Sequence, residues 1–217
     1  MKQTQFDKHN IAWFKIAECV SRGEKERALG VYRLLSHSFN DNAIASQLEA
    51  DIYSAFGEIE QAISLYQQAM ESYKKSHRFL KAAAVGEHLV TMQQDNMSLH
   101  RGMVQLYVSL GMALKVRAHV QQLIGLLAQK QLWYEIKNVL LECVAFSDEN
   151  DRALIYADII QNAYALGCPW DVVVQNIDQA IDNLVAAENN ASVQEFISAL
   201  QDSSDKLHEY AVVYLNK

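Results

Sequence analysis

The chain has 217 residues, half of them hydrophobic, with one proline and only eight glycines. Sheet-rich folds draw on Gly and Pro for their many turns, so they are excluded; Ala, Leu, Gln and Glu are helix formers, and an all-α chain is expected. A formal net charge of -7 argues against nucleic acid as the main partner.

No run reaches the ~20 apolar residues of a membrane-spanning helix. The stretch AHVQQLIGLLAQ, Ala118 to Gln129, is too short and carries glutamines, so no membrane insertion is expected. The N-terminal MKQTQFDKHN has no apolar segment of a secretory signal. Cys19, Cys143 and Cys168 are odd in number and far apart, which argues against a disulfide framework. A cytoplasmic protein with three reduced thiols is expected.

Along the chain, the first clear element is RGEKERALGVY, Arg22 to Tyr32, and it returns as FGEIEQAISLY, Phe56 to Tyr66. Gly23, Ala28 and Tyr32 recur as Gly57, Ala62 and Tyr66, each shifted by 34 residues. Each segment reads as a Gly-containing turn followed by a helix with Ala and Tyr on one face. A period of 34 residues accommodates two helices of about 14 residues and two tight turns. Ala50, Ala62 and Ala69 are expected to let two antiparallel helices approach closely, with Tyr53 and Tyr66 filling the space beside them. Such a hairpin leaves an apolar stripe that only a stacked neighbour can bury.

The window Ala43 to Leu80 resembles a tetratricopeptide repeat, with Ala50, Tyr53, Gly57, Ala62, Tyr66 and Ala69 matching its pattern. Lys74 stands where that pattern has proline, so the second helix is expected to run on to about Ser76. The upstream copy carries Ile16 and Cys19 at the small and aromatic positions and reads as a degenerate or terminal repeat. The run AISLYQQAMESYKKSHRFLKAA is also similar in style to the helical hairpins of the soluble attachment proteins of membrane fusion. The resemblance implies a right-handed α-α superhelix, with recognisable repeats over residues 1–137; residues 138–217 read by periodicity as an acidic, divergent helical continuation, so a solenoid of about twelve antiparallel helices in a single domain over residues 1–217 is expected.

His77-Arg78-Phe79 and then Ala82 restart the turn-and-helix pattern. A further copy begins near Met97, with Tyr107 and Gly111 at the spacing of Tyr53 and Gly57, and Val116, Val120 and Leu123 in the next helix. Beyond it, LWYEIKNVLLECVAF and RALIYADIIQNAYALG read as a hairpin joined by the acidic turn SDEND, acids being favourable at a helix start. Gly167 is expected to cap one helix and Pro169 to open the next. Asn190 and Ser204 are expected helix caps. Residues 1–137 hold 16 Lys/Arg against 13 Asp/Glu, and residues 138–217 hold 3 against 13. If the acidic end met the basic region of a second copy, a homodimer would follow.

Chemistry is hard to find. The seven histidines form no His-Glu-x-x-His pattern, no two cysteines lie two to four residues apart, and phosphate-binding glycine loops are lacking. No metal, cofactor or catalytic residue is expected, and Asp171, Asp178 and Asp182 read as a solvated acidic face. The basic cluster Lys74, Lys75, Arg78 and Lys81, around Phe79, suits an acidic partner segment better than nucleic acid. Lys115, Arg117 and His119 are candidates to extend it.

The resemblance implies a ligand groove formed by the first helix of each hairpin. Its facing positions here are Gln47, Asp51 and Ser54, and Arg101, Gln105 and Val108. Only Arg101 is of the type that clamps a partner's C-terminal carboxylate, so a groove for an extended peptide or helix is the expectation. The function expected is a protein-interaction scaffold or adaptor. Two alternatives are a chaperone or adaptor of a secretion or assembly system, and an enzyme on an all-helical scaffold.

Overall fold

A computed structural model describes residues 3–37, 39, 41–145 and 148–216, with side chains from residue 12 onward. The described residues are all-α: twelve α-helices, one 3-10 turn and no strand. In order these are α1 (Gln3–Ser21), α2 (Lys25–Ser36), α3 (Asn42–Ala55), α4 (Ile59–Lys75), α5 (Phe79–Met92), α6 (Met97–Ser109) and α7 (Ala113–Gln129). A 3-10 turn, Trp133–Glu135, leads into α8 (Ile136–Glu142). Then come α9 (Glu149–Ala165), α10 (Trp170–Val185), α11 (Asn190–Ser203) and α12 (Asp205–Leu215). None of these helices is long and apolar enough to cross a membrane.

The chain forms two compact units, Met1–Gln94 and Asp95–Lys217. The boundary does not follow the change in charge near residue 137, because α8 and α9 pack with α6 and α7.

One turn geometry recurs through both units. At Gly57 the backbone takes φ 75°, the Gly57 amide donates to Ser54 O at 3.0 Å, and the Glu58 amide donates to Tyr53 O at 3.0 Å. This pair of bonds is the Schellman motif, which satisfies the last carbonyls of a helix with a left-handed residue. The same two bonds recur around Gly23, His77, Gly111, Gln131 and Gly167. Five times the following residue is the N-cap of the next helical element, with φ from -84° to -99° and ψ from 50° to 71°: Glu24, Glu58, Arg78, Met112 and Leu132. Two residues therefore reverse the chain. The Gly-centred repeat expected from the sequence is a repeat of this turn, and His77 and Gln131 carry it without glycine.

In the first unit the closest pairing is α3 with α4. Ala50, Ala62 and Ala69 are completely buried between them, beside Tyr66 and Tyr73. The lack of side-chain bulk lets the helices approach, as expected, although Tyr53 is only half-buried. Helix α4 ends at Lys75 with Ser76 as its cap, so Lys74 extends the helix where proline would have stopped it. Leu48 and Ile52 of α3 join Ile16, Leu29 and Leu35 in the core that α1 and α2 complete.

In the second unit α6 pairs with α7, and α9 packs against α7, α10 and α11. Tyr156, Ile155 and Phe196 are fully buried there. Asp148 caps α9 by accepting from the amides of Asn150 and Asp151, while Ser147 of the SDEND turn lies outside the described residues. Two local expectations are corrected. The cap of α11 is Asn189, whose side chain accepts from Ala191 and Ser192, and Asn190 is the first helical residue. The expected helix over LWYEIKNVLLECVAF is shortened to a 3-10 turn and the seven residues of α8. Ser204 is at the cap position of α12 but its side chain makes no capping bond.

Candidate functional site

The α3/α4 hairpin carries a groove of about 670 Å³. Asn42, Ala45 and Ser46 of α3 and Ser64, Gln67 and Gln68 of α4 line it. Ser72, Glu71 and Lys75 of α4 complete the lining, so most of these residues are small or uncharged and polar and two are charged. On α4 the small polar residues recur every fourth position, at Ser64, Gln68 and Ser72, so they share one helix face. Amide and hydroxyl groups of this kind can donate to and accept from an extended backbone. Among the described residues no group of three or more His, Cys, Asp or Glu side chains is arranged to hold a metal ion.

The residues selected by the repeat pattern hold the hairpin together. Tyr66 of α4 donates to Asp51 Oδ1 at 2.5 Å, and Tyr73 donates to Gln47 Oε1 at 3.0 Å. Burial raises the pKa of Asp51, although the residue as a whole is exposed. From α5, the next helix, the His88 ring packs edge-on to Tyr66 at 4.7 Å between ring centres. Ser54 is half-buried. In the second unit Gln105 is exposed and Val108 is buried.

The basic cluster is partly spent on internal pairs. Arg78 makes a two-pronged ion pair with Asp41, one arm at 2.8 Å, and its guanidinium lies 4.7 Å from the centre of the Tyr73 ring. The Arg78 hydrogen bond holds the Asp41 carboxyl down at about 2. Lys74 pairs with Glu71 at 2.8 Å, whereas Lys75 and Lys81 are exposed. Further along the chain, Lys115 is exposed, Arg117 pairs with Asp158 of α9, and His119 is 5% exposed. His119 therefore adds nothing to a basic surface.

Spacing did not disclose two further clusters. His100 of α6 and His119 of α7 are both buried, with Nδ1 atoms 3.3 Å apart and Tyr107 stacked on the His119 ring. They lie 19 residues apart on two helices, beyond the reach of any single-helix pattern. Asp178 and Asp182 of α10 are not merely a solvated face: Tyr210 donates to Asp178 at 3.0 Å and Tyr214 to Asp182 at 3.2 Å. Lys206 lies 3.8 Å from the centre of the Trp170 ring at the same α10/α12 seam.

The thiols are placed for packing. Burial pushes Cys143 up to about 12 and Cys168 up to about 11, which removes the thiolate that nucleophilic chemistry requires. Arg101 is bracketed by two carboxylates, Glu135 at 3.2 Å and Glu142 at 2.9 Å. A guanidinium already facing two carboxylates is a poor clamp for a third. Compared with protein-family models and with curated proteins, the chain matches none.

Proposed function

We propose that this chain is a protein-interaction scaffold, a tetratricopeptide-like solenoid that binds an extended peptide or helix of a partner protein. The observation that carries the reading is the groove on the α3/α4 hairpin, about 670 Å³ and lined mostly by amide, hydroxyl and methyl groups, with Glu71 and Lys75 the charged members. Such a lining offers donors and acceptors for recognition of an extended backbone. The recurring left-handed turns at Gly23, Gly57 and Gly111 support the repeat architecture, as does the packing of α9 between α7 and α11. On this reading the protein acts in the cytoplasm, without a cofactor or catalytic step. Lys75 at the groove's edge and exposed Lys81 favour an acidic partner segment.

The test is site-specific photocrosslinking in the native cell. A photoreactive residue at Gln68 is expected to trap one partner that the same group at Glu209 does not trap. Substituting Ser64→Arg, which fills the groove with a bulky cation, is expected to abolish the crosslink while leaving helix content unchanged. Identical crosslinked products from both positions would overturn the reading.

A further inference from the structure

The connection between α11 and α12 reverses the chain by a different device from the other turns. Only Ser204 separates the two helices, and its backbone is extended, with φ -164° and ψ 121°. The turns at Gly23, Gly57, His77, Gly111, Gln131 and Gly167 each place a residue at positive φ, which stops the preceding helix from continuing. Ser204 has no such conformation, and Asp202-Ser203-Ser204-Asp205-Lys206 holds no glycine or proline. The Ser204 amide still donates to Leu200 O at 3.1 Å, as in α11. Its carbonyl accepts from Leu207 and His208, as in α12. Rotation of this one residue into the helical region would join α11 and α12 into one helix over residues 190–215. The orphan carbonyls that end α11 would then accept from the orphan amides that begin α12.

Helix α12 is also lightly held. Seven residues of α9, six of α10 and five of α11 are buried, whereas α12 buries Leu207 and Ala211 alone. Three polar rungs complete its seat on α10. Lys206 lies 3.8 Å from the centre of the Trp170 ring, Tyr210 donates to Asp178 at 3.0 Å, and Tyr214 donates to Asp182 at 3.2 Å. The rungs come in the same order along both helices, so α10 and α12 run parallel. A helix with few buried apolar contacts opens at the low end of local stability. Straightening at Ser204 would carry α12 off this seat and uncover Trp170, Asp178 and Asp182. What fits the seat is already visible: a helix presenting Lys206, Tyr210 and Tyr214 on one face. The α12 of another copy presents the same three residues.

We propose that α12 is an exchangeable element and that its partner is a second copy of this chain. The joined α11–α12 helix of each copy lays its α12 on the α10 of the other. The exchange keeps all three rungs and the burial of Leu207 and Ala211. The balance between monomer and dimer therefore rests on the conformation of Ser204 and on concentration. The exchange involves the second unit alone and does not depend on the α3/α4 groove.

The test holds the full chain at millimolar concentration in mild urea, returns it to buffer and sizes it by light scattering. A dimer is expected, and the same treatment of a dilute sample is expected to leave monomer. Asp205→Pro separates the two forms. Proline suits the first position of α12 and favours an extended residue before it, so it fits the closed monomer. It cannot sit inside a continuous helix without breaking it. The variant is expected to stay monomeric at the same concentration with its helical signal retained. Ser204→Ala removes no capping bond and favours the joined helix, so it is expected to raise the dimer fraction. Exchange is told from surface contact by mixing heavy- and light-isotope chains that carry a photoreactive residue at Tyr214. Crosslinks to α10 are expected to join heavy to light chains in the dimer and to stay within one chain in Asp205→Pro. A wild-type chain that remains monomeric, or a Ser204→Ala dimer fraction no higher than the wild type's, would overturn the proposal. So would a dimer formed equally by Asp205→Pro, or one whose crosslinks to α10 stay within single chains.

Discussion

Tyr66 and Asp51 meet across the α3/α4 hairpin with the phenol donating to the carboxylate at 2.5 Å. Burial raises the Asp51 pKa above its ordinary value despite that bond. The folded state therefore holds the Asp51 proton more tightly than the unfolded chain does. Its contribution to stability is present below the unfolded carboxylate pKa and is lost as pH rises through the folded one. Asp51→Asn keeps an oxygen to accept from Tyr66 and removes the charge. The variant should gain on the order of 0.5 kcal/mol at neutral pH, the small size reflecting solvent access. It should match the wild type near pH 3. Urea unfolding across pH 3 to 7 checks both ends. Tyr66→Phe, which strands the carboxylate, should instead cost about 1–2 kcal/mol at neutral pH.

Asp41 and Arg78 behave in the opposite sense. Asp41 accepts the Ala43 amide at 3.0 Å as the cap of α3 and pairs with Arg78 at the start of α5. Its carboxyl is held at about 2, below the ordinary value. The stabilisation is therefore present above the unfolded pKa near 4 and is lost as pH falls through about 2. Asp41→Ala removes the cap and the pair together and should cost about 1–2 kcal/mol at neutral pH. Asp41→Asn keeps the cap and should cost less. If Asp41→Asn melts with the wild type, the pair with Arg78 contributes nothing to stability; if it melts with Asp41→Ala, the cap contributes nothing.

These two bonds mark the limit of what the sequence discloses. The 34-residue echo from Gly23 to Gly57 exposed the hairpin because glycine marks a left-handed turn. His77 and Gln131 adopt the same turn without glycine, so their part in the repeat left a weaker trace. The alanine stripe predicted which residues pack, and Ala50, Ala62 and Ala69 are fully buried. The resemblance to the tetratricopeptide repeat implies that Gln47 and Asp51 face a groove. It could not say that each would accept a hydroxyl from a tyrosine 26 and 15 residues away. The lining of the observed groove does not include Gln47, Asp51 or Ser54, for a related reason. Spacing identifies Ser64, Gln68 and Ser72 as one face of α4, but its concavity depends on how closely α3 approaches.

The turns offer a direct test. A Cβ built at Gly57 would meet no atom within 4 Å, so a substitution there is opposed by backbone conformation rather than by a clash. Gly57→Ala should cost about 1–2 kcal/mol, the penalty of a left-handed L-residue. His77→Gly and Gln131→Gly should each stabilise by up to about 1 kcal/mol, because φ values of 55° and 54° are already of the glycine kind. Thermal melts of the three variants would give one loss and two gains. A loss in all three would mean that the His77 and Gln131 side chains contribute more than their backbones cost.

The three native cysteines report on the two units separately. Cys143 and Cys168 belong to the second unit, are buried, and have thiol pKa values pushed to about 12 and about 11. Cys19 belongs to the first unit and is half-buried. Only the thiolate is alkylated, and at neutral pH a thiol this far below its pKa supplies almost none. In the native protein iodoacetamide should therefore modify Cys19 first. Cys143 and Cys168 should react only when α8 to α10 open, with labelling that rises together through the urea transition of the second unit. Pulsed alkylation read by mass spectrometry resolves the three sites. Labelling of Cys143 in native buffer at the rate of an unfolded peptide would contradict its burial. A Cys19 transition at the same urea concentration as the other two would mean that the units unfold as one cooperative body.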